Sequence, residues 1–231
     1  MQSRKKIILG LDTSGAPLLV ALEQDGKVLS RRRKGVKQER LLFPAVNSAL
    51  EAAGAELKDI ERIFIVRGPG RFTGIRISLT FASMLKYLNK TEVRGATLFE
   101  VLRRQVETSK KFAAWKKENP SGALAVILHA FREEYFLQVF DGQNAGPAWL
   151  SREELLQRLS GYSAPLMLAG SDKNGAPLAE LAGPQYAYAD EKDCFVRPAT
   201  LTAMAKDDSL AQDALEPLYL KPARFELVTP K

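Results

Sequence analysis

The stretch VRGPGRFTGIRISL (residues 66–79) places three glycines and a proline between an apolar run and a segment with helical periodicity. The spacing predicts a strand over 60–68 before it and a helix over 73–89 after it. Glycine permits the positive φ angles and close backbone approach that a sharp turn requires. We therefore expect Gly70 and Gly74 to pin the start of this helix close to the sheet.

The same turn has a second interpretation. Helix N-termini attract anions, so Gly68 and Gly70 could lie beside a phosphate. However, the stretch lacks the Gly-Lys-Ser/Thr of a P-loop and the dinucleotide-binding fingerprint. Phosphate binding is therefore the secondary interpretation of this turn.

The composition is that of an ordinary globular protein, with 231 residues, 45% of them hydrophobic and 26% charged. A single cysteine, Cys194, excludes an internal disulfide and favours a reducing cytoplasm. No apolar run approaches the roughly 20 residues of a membrane span. The net charge of +7 is concentrated in basic blocks at 4–6, 31–34, 110–111 and 116–117. These blocks indicate either solvated faces or a polyanionic partner such as a nucleic acid.

The order of elements predicts two α/β halves of related plan, residues 1–106 and 107–231. In the first half, three antiparallel strands precede alternating helices and strands, and a helix over 38–53 contains Pro44. The charged segment 107–122 is predicted to be a linker or surface excursion. In the second half, strands over 123–130 and 133–142, a helix over 151–160, a strand over 165–171 and a helix over 201–212 follow.

A further informative turn is LDTSG (11–15), where a buried first strand ends in an aspartate. Actin-like nucleotide-binding folds present their first phosphate loop in this way. An Asx or Ser/Thr turn without a ligand accounts for the same residues. The candidate phosphate loop consists of Asp12, Thr13, Ser14, Gly68 and Gly70.

Four segments occur in one order: ILGLDTS, ERLLFPAV, RGPGRFTGIRI and PLYLKPARFE (217–226). Together they resemble the TsaB (YeaZ) family, the accessory subunit of the bacterial machinery that makes threonylcarbamoyladenosine in tRNA. The resemblance spans most of the chain and is strongest over 7–95 and 214–226. The chain departs from the family pattern at Arg71, where Ser is usual, at Lys37 and Gln38, where His-Ser is common, and at His129, in place of an Asp.

The resemblance implies an actin-like (ASKHA, RNase H-like) fold with two lobes, each a mixed sheet flanked by helices. It also implies pairing with the catalytic paralogue TsaD through helices of the N-terminal lobe, recruitment of the TsaE ATPase, and homodimers when the chain is alone. Contact with tRNA is expected as part of that complex. Family members lack the metal-binding histidines of TsaD.

The two helices of the first half support such an interface independently. On a helical wheel, the apolar residues of 75–88 cover an arc of about 220° and those of the first helix about 200°, whereas one sheet needs a stripe of roughly 100°. The alternative is that other parts of the same chain cover the surplus. The predicted interface residues are Leu42, Val46, Leu50, Ile75, Arg76, Leu79, Thr80, Ser83, Met84 and Tyr87.

Catalysis by this chain alone is not predicted. His129 is the single histidine, and it follows an apolar run, as a hydrogen-bonded residue at a strand end does. No histidine cluster for a metal and no second Asp-x-Gly-Thr/Ser loop is present. We therefore predict a non-catalytic subunit without metal or cofactor; the alternatives are an ATP-dependent ASKHA phosphotransferase, a glycoprotease-like enzyme, and a stand-alone RNA-binding module.

Overall fold

Three antiparallel strands open the chain, as the sequence predicts: β1 (Ile7–Asp12), β2 (Leu18–Gln24) and β3 (Lys27–Arg33). The computed structural model describes residues 6–35, 37–143 and 146–221. The β2–β3 hairpin closes through Asp25 and Gly26, whose positive φ angles of 51° and 77° suit a two-residue turn. The last residues of PLYLKPARFE and part of the basic block at 4–6 lie outside the described residues.

The next elements complete the first sheet. They are α1 (Leu42–Ala52), β4 (Ile60–Val66), α2 (Phe72–Asn89), β5 (Glu92–Ala96) and α3 (Leu98–Glu107). The order of strands is β3-β2-β1-β4-β5, with β4 parallel to both β1 and β5. The predicted helix over 38–53 is shorter, because Gln38–Arg40 form a separate 3-10 turn. Pro44 lies in the first turn of α1, where its missing N–H leaves no helical bond unmade.

The segment 107–122 is a surface excursion and not a linker, because it contains the helix α4 (Lys110–Glu118), none of whose residues is buried. Ser109 caps this helix, with its Oγ accepting a hydrogen bond from the Phe112 backbone N–H. A second set of elements follows: β6 (Ala123–Phe131), β7 (Glu134–Phe140), β8 (Ala148–Ser151), α5 (Arg152–Ser160), β9 (Leu166–Ser171), α6 (Leu178–Ala182) and β10 (Ala187–Tyr188). The order of strands in this sheet is β10-β9-β6-β7-β8.

The last helix, α7 (Pro198–Ala205), ends seven residues earlier than predicted. It packs on the first sheet, where a Cβ on Gly10 would lie 2.4 Å from the Cβ of Leu201. The opposite face of that sheet carries Ile7, Leu9 and Leu11, which share one core with α1 and α2.

The described chain forms two units. Unit 1 comprises 6–101 and 196–218, and unit 2 comprises 102–195 and 219–221. Each has a five-stranded mixed sheet with flanking helices, so the predicted actin-like (ASKHA) fold class is confirmed. The predicted division at residue 106 assigns 196–218 to the second half of the chain, whereas in the structure these residues belong to unit 1.

Candidate functional site

An open groove of about 440 Å³ lies on unit 1 between the 3-10 turn, α1 and α2. The ring of Phe43 packs edge-on against that of Phe81, with centroids 5.2 Å apart. Phe72 stands beside the groove under the guanidinium of Arg76, which lies 5.0 Å from its ring centroid. The residues that line the groove are Glu39, Leu42, Phe43, Phe72, Thr73, Arg76, Ile77, Thr80, Phe81 and Met84.

The groove walls are unusually apolar for exposed surface. Phe43 is 44% exposed and Phe72 is 54% exposed, while Ile77 and Met84 are half-buried. Farther along α2, Tyr87 and Leu88 are 78% and 65% exposed. Such exposed apolar side chains on neighbouring helices are typical of a protein-binding surface.

The ten predicted interface residues divide into two sets. Five are buried in the core of unit 1: Leu42, Val46, Leu50, Ile75 and Leu79. The other five are exposed or half-buried: Arg76, Thr80, Ser83, Met84 and Tyr87. Of the ten, only these five exposed or half-buried residues are accessible to a partner. Their contact with a partner remains a prediction.

The helical wheel overstated the apolar surplus of α2. Phe81 is 3% exposed and packs in the core of its own unit, so much of the predicted 220° arc is already covered. Leu88 and part of Ile77 remain outside that core. Phe43 and Phe72 are not among the predicted interface residues, although Phe43 lies on the apolar arc of α1 and Phe72 begins α2.

The glycine-rich turn presses the start of α2 against the β1–β2 turn. The Arg71 backbone N–H donates a 2.7 Å hydrogen bond to the carbonyl oxygen of Ser14. A Cβ on Gly70 would lie 2.2 Å from that oxygen, and one on Gly74 would lie 2.0 Å from the Thr13 carbonyl oxygen. The predicted close approach at Gly70 and Gly74 is therefore present. Gly68, with φ of 114°, is buried beside the Leu218 carbonyl.

The β1–β2 turn is closed by groups of the chain itself. Asp12 Oδ1 accepts hydrogen bonds from the Ser14 backbone N–H (2.9 Å) and from Ser14 Oγ (2.6 Å), which makes an Asx turn. Gln38 Nε2 donates a 2.6 Å hydrogen bond to the Gly15 carbonyl. Burial raises the pKa of Asp12, and the two bonds from Ser14 oppose that rise. Since Thr13 and Ser14 are also buried, the geometry favours a structural role for this turn.

His129 lies near the end of β6, as predicted. Its Nε2 is 2.8 Å from the Arg132 carbonyl oxygen. Within 6–35, 37–143 and 146–221, no three His, Cys, Asp or Glu side chains are grouped so that they could hold a metal ion. In the same residues, no helix has the length and apolar character needed to cross a membrane.

Comparison with known proteins gives consistent relatives. Residues 37–130 match the family model of TsaD, the tRNA N6-adenosine threonylcarbamoyltransferase. The chain is 24% identical over 224 residues to the tRNA threonylcarbamoyladenosine biosynthesis protein TsaB of Bacillus subtilis, covering 95% of this chain and 96% of that one. It is 27% identical to the TsaB protein of Escherichia coli, covering 67% and 68%.

A solved structure of YeaZ from Pseudomonas aeruginosa shares the fold. It superposes with a TM-score of 0.66 at 22% identity, covering 93% of this chain and 100% of that one. A second solved structure, described as similar to the peptidase YeaZ of that organism, gives a TM-score of 0.63 at 23% identity, with coverages of 94% and 100%. The two-unit fold described above is therefore one that solved proteins adopt over nearly the whole length of the chain.

Proposed function

We propose that this chain, as a member of the TsaB (YeaZ) family, acts beside a TsaD-type transferase in forming threonylcarbamoyladenosine in tRNA. The relatives named for that biosynthesis cover up to 95% of the chain, which supports the assignment. The observation that carries the mechanism is the α1–α2 groove, where aromatic side chains stand exposed on unit 1.

In this proposal the chain is a non-catalytic subunit. The groove receives the helices of the TsaD-type partner, and burial of Phe43, Phe72 and Leu88 supplies the favourable free energy. Full burial of one such side chain contributes roughly 1.5–3 kcal/mol. A second copy of the chain occupies the same face when the partner is absent, so homodimer and heterodimer compete. A TsaE-like ATPase then joins the pair, and the complex works in the cytoplasm on tRNA.

The state of Asp12 supports a non-catalytic role. A phosphotransferase of this fold would need the Asp12 carboxylate ionised and open to a magnesium ion. Here the carboxyl is buried, and that burial raises its pKa. Gln38 and Ser14 occupy the hydrogen-bonding groups of this turn, which leaves fewer of them for a nucleotide phosphate. The closed turn therefore favours a role in partner binding.

Phe72→Glu tests the proposed interface, with Phe131→Glu as a matched control. Phe131 lies in unit 2, is 51% exposed, and carries the Arg132 guanidinium 5.2 Å from its ring centroid, so its surroundings resemble those of Phe72. Interface anchors typically contribute about 2 kcal/mol or more. We expect Phe72→Glu to weaken binding to the TsaD-type protein of the same organism at least ~30-fold, measured by biolayer interferometry.

The control is expected to change that affinity less than about threefold. Equal losses in both variants would mean that the effect is not specific to the groove. Normal binding by folded Phe72→Glu would place the partner elsewhere.

A further inference from the structure

The positive charge of the chain is concentrated beside the groove. Residues 31–40, RRRKGVKQER, contain six basic side chains and one acidic one, a net +5 within a chain of net +7. This stretch begins in β3, the edge strand of the first sheet, and ends in the 3-10 turn before α1. Its single acidic residue, Glu39, lines the groove, so the charged stretch reaches the groove rim.

Part of this charge already has a structural use. Arg31 donates to Ser48, through Nε to Oγ at 3.0 Å, and so holds β3 to α1. Arg32 donates a 2.9 Å hydrogen bond to the Val196 carbonyl oxygen. The remaining four cations are exposed and enter no ion pair with any described residue. We call Arg33, Lys34, Lys37 and Arg40 the basic strip.

Other basic clusters of the chain are partly neutralised. Arg62 and Arg94 share the carboxylates of Glu92 and Asp208. On α4, Lys111 pairs with Asp190 at 3.3 Å. Lys116 of the same helix donates to the carbonyl oxygen of Gly122, which fixes the ammonium group without cancelling its charge. The basic strip therefore retains more unpaired charge than these clusters.

The side-chain chemistry of the strip favours phosphate over protein as its partner. Protein interfaces are depleted in lysine and have an apolar centre. The strip has two lysines, while the adjacent groove has the aromatic groups that suit a protein. Arginine forks and lysine ammonium groups bind phosphate oxygens regardless of base sequence.

We propose that the basic strip binds the phosphate backbone of the tRNA. The proposal rests on the proposed function, since that function supplies the RNA. The strip ends at Arg40, the neighbour of the groove residue Glu39, so an RNA held by a partner in the groove approaches the strip from this end. This chain then contributes to RNA binding without reading the sequence of the bases.

The test compares two fourfold variants of the full chain. One replaces the strip, Arg33→Gln, Lys34→Gln, Lys37→Gln and Arg40→Gln. The matched control replaces the lysines of α4, Lys110→Gln, Lys111→Gln, Lys116→Gln and Lys117→Gln, and so removes the same charge from unit 2. Fluorescence anisotropy with a labelled, unmodified tRNA transcript is measured from 50 to 300 mM salt, for each chain alone and assembled with the TsaD-type protein.

We expect the strip variant to bind the transcript about tenfold or more weakly at the lowest salt, with a log–log salt slope shallower by about 2–4. The control should lose less than about threefold. Equal losses would mean that only total charge matters, and unchanged binding by the strip variant, alone and assembled, would overturn the proposal.

Binding to the TsaD-type protein, measured separately, distinguishes the two proposals. If Phe72→Glu abolishes that binding while the strip variant retains it, groove and strip have different partners, as proposed. If the strip variant loses the protein partner but keeps its RNA affinity, the strip is a protein contact and the RNA proposal fails. If Phe72→Glu binds the TsaD-type protein normally but the strip variant still binds the transcript more weakly, the RNA proposal is supported and the groove proposal is wrong.

Discussion

The two units repeat one sheet topology but use it differently. Read from β8, the second sheet has the order β8-β7-β6-β9-β10, which matches β3-β2-β1-β4-β5 of the first. The helix after the fourth strand has 18 residues in unit 1 (α2) and five in unit 2 (α6). The common plan fixes the sheet, whereas the length and packing of one helix create the groove.

The first turn of each sheet shows the same contrast. In unit 1 the β1–β2 turn is buried beneath the start of α2, with Asp12, Thr13 and Ser14 at most 9% exposed. In unit 2 the corresponding β6–β7 turn is exposed at Phe131, Arg132 and Glu133. A buried turn requires close backbone approach, which Gly70 and Gly74 permit in unit 1.

The largest expected effect is the difference in stability between a substitution on the buried face of α2 and one on its exposed face. Leu79→Glu places a carboxylate in the core, where Leu79 is 8% exposed, and should destabilise the chain by about 4 kcal/mol or more. Leu88→Glu, at a position 65% exposed, should change stability by less than about 0.5 kcal/mol. Urea denaturation of both variants checks this. Similar stabilities would show that α2 buries a different face.

The next effect tests the buried turn. Gly74→Ala should destabilise the chain by about 3 kcal/mol, because the new Cβ would lie 2.0 Å from the Thr13 carbonyl oxygen. Ala otherwise favours a helix over Gly by nearly 1 kcal/mol, so a net loss isolates the clash. Gly15→Ala is the control, since its Cβ would meet nothing within 4 Å. A stabilised Gly74→Ala variant in thermal denaturation would refute the close packing.

The smallest effect concerns Asp12. Its folded-state pKa is raised by burial, so ionisation above the unfolded value of 3.8 destabilises the fold. Asp12→Asn keeps an acceptor for Ser14 without that charge and should be more stable at pH 7 by up to about 1 kcal/mol. The gain should shrink as the pH falls towards 4, where the native carboxyl takes up its proton.

Chemical denaturation at pH 7, 5.5 and 4 follows this dependence. A variant less stable than the native chain, by a margin that grows with pH, would show that the ionised carboxylate is favourable. Calorimetric titration of the native chain with Mg-ATP adds a direct measurement. Micromolar binding there would revive the phosphotransferase alternative.

Sequence patterns predicted the sheets better than they predicted the surface. The Asp25–Gly26 hairpin and the glycine-rich turn have local chemical causes, so the strands of the first sheet and α2 were placed within a few residues. In the second sheet, β8 and β10 were not predicted. Exposure depends on distant segments: Phe81 is covered by the core of its own unit, whereas Phe72, the first residue of α2, is exposed. Helix α4 was missed because its lysines and the following Asn-Pro resemble a loop, and none of its residues is buried.

Unit 1 is assembled from two distant parts of the chain, and this imposes an order on biogenesis. Helix α7 covers Gly10, and the Leu218 backbone N–H donates to the Arg67 carbonyl oxygen, so 196–218 completes the sheet that carries the groove. A nascent chain that ends before residue 196 still exposes one apolar face of that sheet. During synthesis, therefore, the partner-binding unit begins first and is completed only after residues 102–195 of unit 2 have been made.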